Sequence, residues 1–315
     1  MIPLTLITGF LGAGKTTFLR HLLDQRAAAP AHGTLAVIIN EFADVGLDAV
    51  QLPAGDYHQW ELSRGSIFCI CLRTDFIALL ARIVHEINPD EIWVEATGVA
   101  DVEEVFKMLS APPVRAALYL RTNACIVDPH TILKVLHTLR AAQQQVARAD
   151  VLILNKIDTA DAATLAAVEQ ALRTHNAQAP ILQATQARIA LEALPTFQMP
   201  RLDLRPFGGH PPQPIAAVAI TEAWIIPRAA FAQWWRAQQH GIWRVKGRLR
   251  TPDGDVWVDG TLAALDLRPC GALPALPAAT TLAFVGPGLQ RAGLTAALQR
   301  LCSAAGKNRE VAARM

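Results

Sequence analysis

Apolar residues in this chain first recur in short unbroken runs separated by amphipathic stretches. The runs are Leu4-Thr5-Leu6-Ile7, Leu35-Ala36-Val37-Ile38-Ile39, Ile92-Trp93-Val94, Ala124-Cys125-Ile126-Val127, Val151-Leu152-Ile153-Leu154 and Ile181-Leu182. Runs this short, with no polar alternation, predict strands covered on both faces. Between them, residues 17–23, 75–87 and 129–139 carry helical periodicity. Strand and helix in alternation predict an α/β fold, a doubly wound and mostly parallel sheet. Ligands of such sheets bind beyond the carboxyl ends of the strands.

The pattern changes after about Gln198. Residues 200–214 are dense in Pro and Gly, including Gly208-Gly209-His210-Pro211-Pro212, and predict a linker. Beyond it, strands are expected at 215–220, Ala223-Trp224-Ile225-Ile226, 242–250, Val256-Trp257-Val258 and 280–285, with helices at 228–240 and 289–301. Pro252-Asp253-Gly254-Asp255 is a hairpin signal. The expected organisation is therefore a nucleotide-binding domain over 1–199, a linker over 200–214, a smaller α+β domain over 215–303, and a frayed tail over 304–315.

The chemistry concentrates at strand ends. Gly9-Phe10-Leu11-Gly12-Ala13-Gly14-Lys15-Thr16-Thr17 follows the first strand and opens the first helix. This is the phosphate-loop spacing G-x-x-x-x-G-K-[ST]. Gly9, Gly12 and Gly14 let the backbone close around phosphate oxygens. The amides from Gly12 and Ala13 to Thr17 and the helix N-terminus add positive potential. Lys15 reaches the outer phosphates, and the Thr16 hydroxyl offers itself to Mg2+. Asn155-Lys156-Ile157-Asp158 ends the strand at 151–154. A carboxylate at Asp158 accepts from N1–H and the 2-amino group of guanine, donors that adenine lacks. Asn155 and Lys156 belong to the same reading, and Thr185 is placed to cover the far side of the base. Glu95 follows Ile92-Trp93-Val94, where a carboxylate holds a Mg2+-bound water or positions the attacking one. Gly98 lets the backbone approach the γ-phosphate.

Composition adds bounds. At 315 residues the chain is longer than one typical domain. With 52% apolar and 18% charged residues it can build a large core. A net charge of +2 speaks against nucleic-acid binding through a basic surface. No apolar run has membrane-spanning length, and the chain opens on a strand without a signal-peptide pattern. A cytoplasmic location is expected, and there the five cysteines are thiols or metal ligands.

Gly65-Ser66-Ile67-Phe68-Cys69-Ile70-Cys71-Leu72-Arg73 places two of those thiols two residues apart. Thiolates suit Zn2+ or Cu(I). Two do not complete a tetrahedral site, and Glu41, Asp44, His58 and Glu61 are the nearby residues that could add to it. The same spacing also fits two buried cysteines packing as small hydrophobes.

Taken together, these segments resemble the CobW-type GTPases, a cobalamin-synthesis-protein and metallochaperone family of phosphate-loop proteins. The resemblance is carried by Gly9 to Thr17, Asn40-Glu41-Phe42-Ala43-Asp44-Val45-Gly46-Leu47-Asp48, Gly65 to Arg73, Glu95-Ala96-Thr97-Gly98 and Asn155 to Asp158, and later by Trp243-Arg244-Val245-Lys246-Gly247 and Phe284-Val285-Gly286. It implies a GTPase that couples Mg–GTP binding to a transition metal, zinc or cobalt-like, with Glu41 among the metal ligands. The family's usual C-x-C-C is altered here. Its cysteine places fall on Ser66, Phe68 and Cys69, with an extra thiol at Cys71. Ala43-Asp44 stands where Gly-Glu is common.

The expected molecule is thus a slow GTPase using GTP, Mg2+ and Zn2+ or another transition metal. Lys15, Glu95 and Gly98 are its expected catalytic residues. Thr16 binds Mg2+, helped by Glu95 or a switch acid, Asp44 or Asp48. Cys69, Cys71 and Glu41 bind the transition metal. A client metalloprotein is expected to dock on the C-terminal domain and the switch segment, and self-association into a homo-oligomer is compatible with this reading. Nucleic acid and membrane are not expected partners. Two rivals are a GTP-dependent regulator whose metal site is lost and a phosphate-loop kinase acting on a small molecule.

Overall fold

The computed structural model describes residues 1–28, 33–40, 55, 57–62, 70–197, 215–239, 241–270 and 279–312. They fall into two compact units, the first through residue 197 and the second from residue 215.

The first unit is built on a seven-stranded sheet in the order β3-β2-β4-β1-β5-β6-β7. The strands are β1 (Ile2–Gly9), β2 (Leu35–Asn40), β3 (Tyr57–Leu62), β4 (Glu91–Glu95), β5 (Leu118–Val127), β6 (Val151–Leu154) and β7 (Ile181–Gln183). Every pairing is parallel, as the unalternated apolar runs predict. β1 is central. The chain leaves it to build one flank through β2 and β3, returns as β4, then crosses to build the other flank from β5. This reversal opens a crevice at the carboxyl end of β1.

Two cores cover the two faces. On one, Ile7, Val37, Ile39, Trp93, Ile126 and Ile153 pack under α1 (Lys15–Ala28), which contributes Phe18, Leu19, Leu22 and Leu23. On the other, Leu4, Leu6, Ile38, Ile92 and Val94 pack under α2 (Ile70–Glu86) and α3 (Val102–Leu109). Asp101 caps α3 by accepting from the amides of Glu103 and Glu104. At the amino edge, away from the crevice, buried Glu91 pairs with Arg26 and with Arg121 at 2.8 Å, and accepts from Trp93 Nε1 at 3.0 Å. A short α4 (Pro112–Arg115) precedes β5, and α5 (Pro129–Val135), α6 (Arg140–Ala147) and α7 (Ala162–His175) join the later strands. The single helix expected over 129–139 is thus shorter and ends at Val135.

The second unit is a five-stranded antiparallel sheet in the order β11-β10-β9-β12-β8. Its strands are β8 (Ile215–Glu222), β9 (Arg244–Leu249), β10 (Val256–Thr261), β11 (Leu265–Pro269) and β12 (Thr280–Pro287). The β9–β10 hairpin turns through Gly254 at φ 112°, a conformation L side chains rarely adopt. Arg244–Asp259 at 3.1 Å bridges the two strands. α8 (Arg228–Gln238) and α9 (Arg291–Ala312) set Phe231, Trp235, Leu294 and Leu298 against Val245, Val258, Leu282 and Phe284.

Two expectations are corrected. Ala223-Trp224-Ile225-Ile226 is not a strand, because the pairing of β8 with β12 stops at Glu222 opposite Thr280 and the chain turns toward Pro227 and α8. The segment expected to fray is helical to Ala312. It is rich in Ala, Lys, Arg and Glu, and these good helix formers carry the helix past Gly306, which costs only about 1 kcal/mol relative to Ala.

Candidate nucleotide site

The loop between β1 and α1 is shaped around its glycines. Gly9, Gly12 and Gly14 have φ of 136°, 80° and 109°. A Cβ on Gly9 would lie 2.2 Å from Ile126 O, and one on Gly14 would lie 2.5 Å from Asn155 Nδ2. The loop can therefore hold this curvature only with glycine at those places, and the result is a concave run of backbone amides ending at the N-terminus of a 14-residue helix. Ala13 is fully buried beneath it and donates from its amide to Phe10 O at 3.2 Å. Lys15 lies over the loop, its Nζ donating to Gly9 O at 3.0 Å and Phe10 O at 3.4 Å. Thr17 is exposed on the first turn.

Thr16 Oγ1 donates to Glu95 Oε1 at 2.8 Å. β1 and β4 are neighbours, and Ile7 is in register with Glu95. Strand order thus brings the phosphate-loop hydroxyl to the buried carboxylate at the end of β4. A hydroxyl and a carboxylate, both oxygen donors beside a phosphate cradle, are the ligand chemistry a Mg2+ ion takes.

The next loop is tied to the first. Asn155, 2% exposed, donates from Nδ2 to Ala13 O at 2.9 Å and accepts at Oδ1 from Ala187 N at 2.6 Å. Its amide thus joins three loops, and the geometry gives it a bracing position between the phosphate loop and the turn after β7. Lys156, held in a left-handed conformation at φ 59°, donates to Gly12 O at 2.7 Å and to Asp128 Oδ2 at 2.7 Å. Asp158 is exposed in a 3₁₀ turn, Ile157–Thr159. Beside it, β7 leads into Ala184 and exposed Thr185, and Ile157 N donates to Ala184 O at 3.3 Å. Phosphate cradle, Thr16–Glu95 pair and guanine-type loop all lie at the carboxyl edge of one sheet.

The model of the CobW/HypB/UreG nucleotide-binding domain matches residues 3–183, more than half of the chain, and that of the cobalamin synthesis protein CobW C-terminal domain matches residues 215–302. The chain belongs to the CobW/HypB/UreG family. Three curated relatives are similar to it. The zinc chaperone YjiA of Escherichia coli is 33% identical over 61% of this chain and 60% of its own. The zinc chaperone CobW of Pseudomonas aeruginosa is 29% identical over 61% and 59%. The zinc-regulated GTPase metalloprotein activator 1 of Schizosaccharomyces pombe is 29% identical over 60% and 47%. The chain spans about half to three-fifths of the length of the curated relatives it matches.

In this CobW/HypB/UreG protein, Gly98 approaches the phosphate loop itself. A Cβ there would lie 2.7 Å from Leu11 N. The turn is held from behind by buried Gln145 of α6, whose Nε2 donates to Gly98 O at 3.3 Å and Ala100 O at 3.2 Å. Neither Gln145 nor Asp128 stood out in the sequence. Asp128 had a signal, an acid between the strand at 124–127 and Pro129 that marks a helix N-cap. It does cap α5, through His130 N at 2.9 Å, and its other oxygen holds Lys156.

The expected transition-metal ligands Glu41 and Cys69, and the switch acids Asp44 and Asp48, lie outside the described residues. Cys71 lies in the first turn of α2. Among the described residues no cluster of three or more His, Cys, Asp and Glu side chains is placed to hold a metal ion. Cys125, Cys270 and Cys302 are free thiols. Burial pushes Cys125 up to about 12, against weaker lowering by a Thr8 hydrogen bond and Lys15, as for a buried thiol that packs as a small hydrophobe. No helix among the described residues is long and apolar enough to cross a membrane.

Asn155 gives the first test. Asn155→Ala leaves a buried carbonyl and a buried amide without partners, at about 1–3 kcal/mol each. Stability in the absence of nucleotide is expected to fall by roughly 2–4 kcal/mol in denaturant titration. A loss below about 0.5 kcal/mol, the level of an ordinary surface substitution, would rule out the bracing role.

Proposed function

We propose that this protein binds and hydrolyses GTP and couples its nucleotide state to binding a transition metal, zinc above all, for transfer to a client protein. The observation that carries the first half is the joining of phosphate loop and Asn155-Lys156-Ile157-Asp158 by Asn155 and Lys156, beside Thr16 and Glu95. In this reading Gly12 to Thr17 hold the phosphates, Lys15 faces the outer ones, and Asp158 reads guanine with Thr185 on the far side. Thr16 and Glu95 would hold Mg2+, which supplies charge neutralisation when bound. Water attacks the γ-phosphate, and positioning and preorganised charge account for the rate. No arginine finger is assigned, so turnover of the order of ~10^-3 per second is expected.

The second half is supported by the zinc chaperone and zinc-regulated activator relatives and by Cys69 and Cys71 at close spacing. Those thiols with Glu41 are the proposed metal ligands. The domain plan of 1–199, linker 200–214 and 215–303 goes with this reading. So do a cytoplasmic location and a client metalloprotein that docks on the second domain and the switch segment.

The test is a zinc titration of the reduced protein, with and without Mg2+ and a non-hydrolysable GTP analogue. One zinc ion is expected per chain, with an affinity that shifts about 5- to 150-fold with nucleotide. Linkage requires zinc to change GTP affinity by the same factor. Cys69→Ser with Cys71→Ser should abolish stoichiometric binding and leave the fold intact. Equal zinc binding by wild type and double variant would remove the thiols from the site. GTP binding without any zinc binding would leave a nucleotide-dependent regulator.

A further inference from the structure

Asn40 is the last residue of β2 and is 2% exposed. Neither Nδ2 nor Oδ1 of its side chain has a hydrogen-bond partner, and among the described residues it is the one side chain with two such buried atoms. Buried carboxamides are ordinarily satisfied, because an unmet donor and acceptor both forfeit their bonds to water. Packing does not account for keeping this one, since an aliphatic side chain of similar size would fill the same space without that penalty.

Its place in the sheet supplies a reason. Ile39 is in register with Glu95 on β4, so Asn40 lies one residue further, level with Ala96 at the carboxyl edge. Alternation along a strand puts it on the face of Ile38 and Val94, opposite to Glu95. From Ala96 the chain continues into Thr97-Gly98, whose backbone lies against Leu11 of the phosphate loop. β2, β4 and β1 are consecutive in the sheet. Asn40, the Gly98 turn and the phosphate loop therefore lie at the carboxyl ends of three consecutive strands, the edge at which the proposed nucleotide would bind. Glu95 already accepts from Thr16 on the other face, which commits it to the Mg2+ side.

We infer that Asn40 positions the attacking water on the γ-phosphate of GTP. Its Nδ2 donates to a γ-phosphate oxygen, and its Oδ1 accepts from the water. A carboxamide is the right type for this task, with a donor and an acceptor on one rigid plane and no proton to gain or lose at neutral pH. The water oxygen bonds to phosphorus as the β–γ bridging P–O bond breaks. The bridging electron pair leaves with GDP, and the water's proton passes to a phosphate oxygen. Asn40 orients and exchanges no proton. GDP cannot meet these two bonds, so the same residue favours GTP over GDP. This inference rests on the proposed GTP hydrolysis.

The test compares wild type with Asn40→Leu and Asn40→Asp. For Asn40→Leu, kcat is expected to fall about 10²-fold, the size seen when one preorganised donor is removed. The KM for GTP should move far less than kcat. The affinity ratio of a non-hydrolysable GTP analogue to GDP should fall roughly tenfold, as for one lost hydrogen bond, with GDP affinity unchanged. The nucleotide-free Leu variant should melt higher than wild type, because the unmet amide is gone. Asn40→Asp keeps the shape but turns a carboxylate toward phosphate, and it should lose the GTP preference as well, which keeps the test open if the Leu variant does not fold. A folded variant with wild-type kcat and an unchanged GTP to GDP ratio would overturn the inference. A wild type that binds GTP and never hydrolyses it would overturn the hydrolysis reading first, and this role with it.

Discussion

The Lys15→Ala protein is expected to hydrolyse GTP about 10²- to 10³-fold more slowly than wild type, the cost of removing one preorganised group aimed at developing charge. Nucleotide affinity should fall with it. Lys15 is 8% exposed, and its ammonium rests on Gly9 O and Phe10 O at the mouth of the cradle. It is thus a cation held against the phosphate loop and largely shielded from water. The fold should survive, because α1 keeps Phe18, Leu19, Leu22 and Leu23 in the core. Thermal shift provides a second readout. A ligand that binds only the native state raises stability by RT ln(1 + [L]/Kd), so a weaker Kd shrinks the rise that saturating Mg–GTP produces in wild type. Undiminished hydrolysis together with an undiminished shift would remove Lys15 from the phosphate site.

How legible each part was in the sequence follows from how local its cause is. The phosphate loop was readable because its spacing is set by one turn of backbone, and the glycine conformations at 9, 12 and 14 are a requirement of that turn alone. The buried strands were readable because helices on both faces leave no polar alternation. β3 and β11 were not seen. β3 is the edge strand Tyr57-His58-Gln59-Trp60-Glu61-Leu62, and β11 alternates exposed Asp266 and Arg268 with half-buried leucines. Edge strands carry polar residues that blunt their pairing, which hides them among loops. The cross-links of the site were illegible for a different reason. Lys156 finds Asp128, and Asn155 finds Ala13 and Ala187, only because β1, β5, β6 and β7 stand in that order in the sheet. No spacing in the sequence encodes that order. Asn40 could be named from the sequence as part of a motif, but the unmet hydrogen bonds that set it apart are a property of burial.

The same strand order makes Asp158→Asn the most discriminating substitution for the base. Asp158 is exposed on the 3₁₀ turn after β6, and Thr185 is exposed on the turn after β7. β6 and β7 are paired, with Leu154 opposite Gln183, and Ala184 N donates back to Leu154 O at 2.8 Å. Gln186 and Ala187 hold positive φ of 53° and 56°, and Asn155 anchors the Ala187 amide. The two turns therefore stand side by side at the carboxyl edge of the sheet, each tied to its neighbour by backbone bonds. In the proposed function the Asp158 carboxylate accepts from guanine N1–H and the 2-amino group. An amide there places a donor against the 2-amino donor and loses one of the two bonds. GTP affinity should drop roughly 10- to 100-fold, the effect of leaving one such group unpaired. Xanthine carries a 2-oxo group in that place, which accepts from the new amide, so XTP affinity should rise and the preference should invert. ATP should remain a poor ligand for both proteins. Competition binding of GTP, XTP and ATP against a fluorescent guanine nucleotide would measure all of this. A variant that still prefers GTP to XTP would mean that Asp158 does not read the base. A wild type that prefers ATP would remove the guanine assignment and return the kinase reading to the front.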